Sequence, residues 1–113
     1  MDRLKRQREI IHRLLEEYRQ LYAGQPESTV DTAVICDDAH GEYLLMRVGW
    51  RGETRVRRPL FYLRLKAGKI WVEEDWTQEG VATELVAMGV PHEEIVLAFQ
   101  PPELRPLTEF AAA

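Results

Sequence analysis

A chain of 113 residues, 45% apolar and 30% charged, is sized and composed for one globular domain spanning residues 1–113, with a modest core that needs neither metal nor disulfide. Its aliphatic runs of about five residues fall far short of the roughly 20 a membrane-spanning helix needs. The charged start Met1-Asp2-Arg3-Leu4-Lys5-Arg6 does not resemble a signal peptide, and the lone cysteine, Cys36, has no internal partner, so a cytoplasmic protein is expected.

In chain order, residues Asp2 to Tyr22 predict an amphipathic helix about 30 Å long. Leu4, Ile11, Leu14, Leu15, Tyr18, Leu21 and Tyr22 recur at three- and four-residue steps and give one apolar stripe. Gly24 and Pro26 are read as its end. The pattern then changes to period two. Thr29 to Cys36 predicts a β-branched strand, Asp37-Asp38-Ala39-His40-Gly41 a hairpin turn, and Tyr43 to Trp50 a second strand. In that second strand Leu44, Met46, Val48 and Trp50 fall on one face and Tyr43, Leu45, Arg47 and Gly49 on the other, which is partly apolar as well. Gly49 within the strand implies a bulge or a close backbone approach.

Arg55 to Lys66 predicts a third strand, in which Pro59 implies an edge, a bulge or a strand start. After the turn Ala67-Gly68, Lys69 to Glu74 predicts a fourth. Strands joined by turns this short pair antiparallel, because parallel pairing needs a crossover of a dozen or more residues. Thr77 is positioned to cap a short second helix carrying Val81, Leu85 and Met88, closed by Gly89 and Pro91. Periodicity does not separate a strand from a helical turn over Ile95 to Phe99. Phe110 is expected to pack the tail down.

Charge is strongly segregated beneath the net value of −4. Eight basic residues (Arg47, Arg51, Arg55, Arg57, Arg58, Arg64, Lys66, Lys69) face only Glu42 and Glu53 over residues 42–69, whereas beyond Ile70 only Arg105 opposes nine acids. Such asymmetry steers an acidic partner to one surface, or complements itself in a dimer.

No catalytic constellation emerges. His12 and Glu16 have a metal-binding helical spacing but lack a second pair, and are read as an exposed polar face. Asp37, Asp38 and His40 have the composition of a turn, and His92-Glu93-Glu94 that of a helical turn or solvated loop. Cys36 lacks an activating neighbour in sequence and is expected as a small buried side chain. Ser28, the only serine, is in no nucleophile elbow. No catalytic, cofactor-binding or metal residue is therefore assigned. Arg55, Arg57, Arg58 and Arg64 form the best candidate partner or nucleic-acid contact, although alternation places Arg57 opposite Arg58. Trp50, Trp71 and Trp76 are expected in the core by default, with exposure of Trp76 in its acidic setting making it a fifth candidate contact.

The chain resembles the XisI family, the controlling factors for excision of the fdxN DNA element in cyanobacteria. The resemblance rests on Ile10-Ile11, Leu14-Leu15 and Tyr18, on Val48-Gly49-Trp50 and Gly68-Lys69-Ile70-Trp71, and on a C-terminal block. That block runs through Asp75-Trp76-Thr77-Gln78-Glu79-Gly80, Gly89-Val90-Pro91 and Pro101-Pro102-Glu103 to Thr108-Glu109-Phe110-Ala111. It is weakest at Arg57-Arg58-Pro59, and Gln100 stands where the family commonly has histidine. The expected fold class is α+β: a long N-terminal helix packed on an antiparallel sheet of four to five strands, plus a short second helix. The resemblance implies a regulatory accessory factor, not an enzyme, that works through protein contacts with a recombinase or the companion factor XisH. The residues themselves add a homodimer as a further expectation. Rival readings are a small DNA-binding module using the arginine-rich strands, a metal-dependent nuclease or hydrolase subunit, and an inhibitor or stabiliser of a nuclease-like partner whose acidic half mimics DNA.

Overall fold

The computed structural model describes residues 2–23, 25 and 29–113. Helix α1 (Arg3–Ala23) starts where the Asp2 carboxylate accepts the Leu4 N–H at 3.0 Å, an N-cap that satisfies one of the helix's orphan donors. Ile11, Leu14 and Leu15 are buried as expected, and Gln7 and Ile10 are buried with them. Leu4 and Leu21, assigned to the same stripe, are instead 39% and 65% exposed. The predicted helix-ending pair, Gly24 and Pro26, lies outside the described residues.

The sheet runs in the order β1 (Val30–Asp37), β2 (Glu42–Arg51), β3 (Thr54–Lys66), β4 (Lys69–Asp75) and β5 (Ile95–Leu97). The first four strands form an antiparallel meander, as the short turns require. The fifth is parallel to β4, which makes the sheet mixed rather than wholly antiparallel. Its connection, residues 76–94, contains helix α2 (Val81–Ala87) and a 3-10 turn (His92–Glu94), long enough for the crossover that parallel pairing demands. Residues 95–97 thus resolve as a strand. The tail then returns over this end of the sheet: Ala111 N–H donates to Ile95 O at 2.8 Å, and Phe110 packs on the core and stacks on His92.

Helix α1 covers one face of the sheet. On β2 that face is the Tyr43–Leu45–Arg47 set, all buried, while Leu44, Met46 and Val48 are half-buried on the outer face. Pro59 is accommodated by a bulge, because Leu45 pairs with Phe61 and Met46 with Pro59, leaving Leu60 over. Gly49 is a close approach: a Cβ there would stand 2.2 Å from Thr29 O and 2.8 Å from the Val30 Cα. None of the described helices is long and apolar enough to cross a membrane.

One buried carboxylate joins the start of the chain to its return. Glu94, read from sequence as part of a turn, is 8% exposed. It accepts Arg6 Nη2 on both oxygens at 3.0 Å and Gln7 Nε2 at 3.0 Å, while the same Gln7 nitrogen donates to Gly68 O at 3.0 Å. Glu94→Ala removes the acceptor and leaves a buried amide short of a partner. We expect a loss of about 2 kcal/mol in urea unfolding, with Glu94→Gln losing less because its amide oxygen still accepts.

Candidate interaction surfaces

Past the Leu60 bulge β1 still flanks β2 as far as Gly49, and only the last pairs, Trp50–Arg55 and Arg51–Thr54, run on as the two-stranded end of a β2–β3 arm closed by the turn Arg51-Gly52-Glu53-Thr54. Residues 50–55 at its tip are all exposed, and Trp50, expected in the core, is 52% exposed. The correction follows from register. Trp50 pairs with Arg55 where the arm has outrun the core, and the Arg55 guanidinium sits 5.2 Å from the indole ring while donating to Gly49 O at 3.3 Å. Thr29 steadies the base, its hydroxyl donating to Trp50 O and its carbonyl accepting the Trp50 N–H at 3.3 Å. Arg55 and Arg57 lie on the outer face with Val48 and Trp50, and Arg58 on the helix side opposite Arg47. Among the described residues, Arg51, Arg55, Arg57 and Arg58 make no ion pair.

Arg64 does not join them. Its Nε lies 3.2 Å from both Glu42 oxygens and its Nη1 4.0 Å from Glu73, and Tyr62 donates to Glu42 at 2.5 Å. The hydrogen bond to Glu42 raises the Tyr62 pKa. Lys66 rests 4.2 Å from the Trp71 ring, which Arg105 approaches at 5.7 Å, so Trp71 is half-buried beneath two cations on the outer face. The arginine strand is thus divided: its inner part serves the fold and its outer part is free.

Trp76 marks a second surface. It is 61% exposed, and its indole N–H donates to Glu74 at 2.6 Å. It flanks a cleft of about 490 Å³ between the end of α1 and the approach to α2, lined by Glu17, Tyr18, Leu21, Tyr22, Glu79 and Glu84 among others. Inside it, Tyr18 donates to Glu84 at 2.6 Å, and burial together with that carboxylate drives its pKa far up. Asp75 holds the loop. One oxygen accepts Thr77 N–H at 2.9 Å and Thr77 Oγ1 at 2.6 Å, and the other accepts Val81 N–H at 2.8 Å. The predicted cap by Thr77 is therefore corrected. Gly80 is the N-cap residue, Thr77 Oγ1 accepts its N–H at 3.2 Å, and Asp75 reaches the first turn. The arm adjoins this cleft, with the Arg58 guanidinium 6.0 Å from the Trp76 ring.

The polar residues considered for chemistry are drawn into local pairs. Arg19 holds Glu16 bidentately, and His12 instead meets Asp38 at 2.9 Å, where Tyr43 also donates at 2.6 Å. His40 pairs with Asp37 at 2.9 Å. Among the described residues no three His, Cys, Asp or Glu side chains gather as metal ligands. Cys36 is exposed rather than buried, because β1 is an edge strand. Desolvation and then Asp38 raise its thiol pKa, which disfavours the nucleophilic thiolate.

The family profile described as XisI protein matches residues 1–112. A crystal structure of a XisI-like protein from Anabaena variabilis superposes with a TM-score of 0.89 at 35% identity, over 97% of this chain and 99% of that one. The fdxN element excision controlling factor XisI from the same organism gives 0.84 at 37% identity, over 99% and 100%. No curated protein matches the chain significantly.

Asp38 joins α1 to the first hairpin, and hydrogen bonds from Tyr43 and then His12 hold its pKa below the usual aspartate range. A depressed folded pKa stabilises the protein above the unfolded value of about 3.9 and ceases to do so as pH falls through the folded one. Asp38→Ala is expected to cost about 1 kcal/mol near neutrality. In chemical denaturation across pH, the gap to wild type narrows as pH falls below the unfolded aspartate value.

Proposed function

Because this chain belongs to the XisI family, we propose that it is a regulatory accessory factor for excision of a DNA element, acting by contact with a recombinase or an XisH-like partner and without catalysis of its own. The observation that carries this reading is the end-to-end match to the fdxN element excision controlling factor, at 37% identity and 99% of this chain's length. The reading has the chain fold as one domain and work in the cytoplasm as a homodimer. An accessory factor of this kind biases a partner between competent and incompetent states by binding one better than the other.

Two exposed surfaces supply places for such contacts: the arm with Trp50, Arg55 and Arg57, and the cleft with Trp76. Aromatic and arginine side chains are the residue types in which binding energy concentrates. The second reading, direct DNA contact, is favoured by the four arm arginines that lack carboxylate partners among the described residues. DNA mimicry draws less support, since Glu94 is buried against Arg6, Glu73 faces Arg64 and Glu84 accepts from Tyr18.

The decisive experiment is co-purification with an XisH-like protein or a recombinase. Wild type is expected to retain at least one of them, with Trp76→Ala weakening retention about tenfold, the loss of one interfacial anchor. Retention of neither sinks the protein-contact reading. A gel shift on short duplexes that weakens steeply with added salt then favours the DNA-binding alternative.

A further inference from the structure

The basic arm and the acidic cleft are complementary surfaces on one molecule, and they adjoin. The arm presents Arg51, Arg55, Arg57 and Arg58, with Trp50 exposed beside them. The cleft presents Glu17 and Glu79, with Glu84 inside and Glu74 beside Trp76, around an aromatic and aliphatic floor that includes Tyr18 and Leu21. Neither Glu17 nor Glu79 meets a cation within ion-pair distance among the described residues. A carboxylate-rimmed aromatic cleft suits guanidinium groups doubly, through charge pairing at the rim and stacking on the rings.

We propose that the arginine arm of one copy of this chain enters the acidic cleft of a second copy, and receives the partner's arm in return, in a twofold dimer. An isologous contact requires two complementary patches on each subunit, one on either side of the symmetry axis. The 6.0 Å approach of Arg58 to Trp76 places the root of the arm at the rim of its own cleft. A twofold axis through that boundary carries each arm across to the other cleft. One molecule does not make this pairing with itself, because Arg55 and Arg57 lie on the sheet face opposite α1. The cleft is built partly from α1.

This inference rests on the homodimer in the proposed function and on nothing about the partner's identity. The test is light-scattering mass on the isolated chain at about 100 μM, in low salt and in about 0.5 M salt. Wild type is expected as a dimer whose dissociation constant rises about tenfold or more across that salt range. Arg55→Glu/Arg57→Glu and Glu17→Arg/Glu79→Arg each reverse one surface at exposed positions, and each is expected to run as a folded monomer by circular dichroism. Mixing the two restores both contacts, one native and one with its charges exchanged, so a heterodimer appears in native mass spectrometry. That recovery also shows that neither variant had merely misfolded. A monomeric wild type, a dimer indifferent to both reversals, or variants that stay monomeric when mixed each overturn the proposal. If the arm variant loses duplex DNA while the dimer persists, the arm serves nucleic acid and the proposal falls. If wild type is monomeric yet the cleft variant alone loses the XisH-like protein, the cleft holds a basic segment of that protein. The dimer contact then fails while the regulatory reading stands.

Discussion

The carboxylate of Glu94 is the constraint on which the rest of the architecture turns. It lies in the short turn before β5, where the chain returns from its crossover, and it is buried against residues from the first two turns of α1. A carboxylate withdrawn from water is tolerated only with charged and hydrogen-bonded partners. Arg6 supplies the charge and Gln7 the hydrogen bond, with Arg3 at 3.6 Å as a more distant cation. Gln7 then reaches Gly68 O in the turn before β4, so one polar cluster fixes the helix, the β3–β4 turn and the entry to the parallel strand together. Its cost is visible in the Gln7 Oε1, which is buried without a partner among the described residues because the amide spends its nitrogen on both acceptors. The helix could otherwise slide along a greasy sheet face, since hydrophobic burial has no direction.

With that end fixed, irregularities in the central strands generate the exposed surfaces. The Leu60 bulge accommodates Pro59, and the Leu60 carbonyl accepts the Trp76 N–H at 2.8 Å. One irregularity therefore sets both the base of the arm and the position of the cleft's tryptophan. A second register shift, at Tyr62 and Leu63, leaves Glu73 over on β4 near Arg64. Gly49 lets the β1 end lie against the arm's root, where any side chain would strike the Thr29 carbonyl. Bulges bend and twist a ribbon more strongly than a regular ladder does, and β3 takes part in one on each side, against β2 and against β4.

Elements governed by local periodicity were legible in the sequence. The α1 stripe, the four antiparallel strands, the bulge at Pro59, the helix stop at Gly89 and the role of Phe110 all follow from spacing or from one residue's backbone restriction. What escaped depends on distant partners. Glu94 reads as a solvated acid until Arg6 is brought beside it, and Arg64 reads as a free cation until Glu42 meets it across the β2–β3 register. Trp50 was expected inside because indole area favours burial, yet it falls on the sheet face that α1 does not cover, in the last pair but one of the hairpin. Asp75 carried a weak signal, an acid two residues before Thr77 and six before Val81. The family resemblance reached further than the physics, since no pattern in the residues themselves specifies excision control.

Segregated charge along the sequence becomes functional only after folding has used part of it. The central strands bring eight cations to the sheet, and Glu42, Glu73, Trp71 and Tyr22 engage the inner ones, Arg64, Lys66 and Arg47. The residues beyond Ile70 bring nine acids, of which Glu94, Glu73 and Asp75 are consumed by ion pairs or by the capping of α2. What remains exposed is therefore not the average composition but its two extremes, arginines at the end of a ribbon and glutamates around an aromatic cleft. Surface charges screened by salt contribute little to folding, so the stability of the fold does not account for their concentration at two adjoining places. A net charge of −4 disfavours indiscriminate adhesion of the whole to nucleic acid, so the arm's positive field is a local departure from the sign of the molecule.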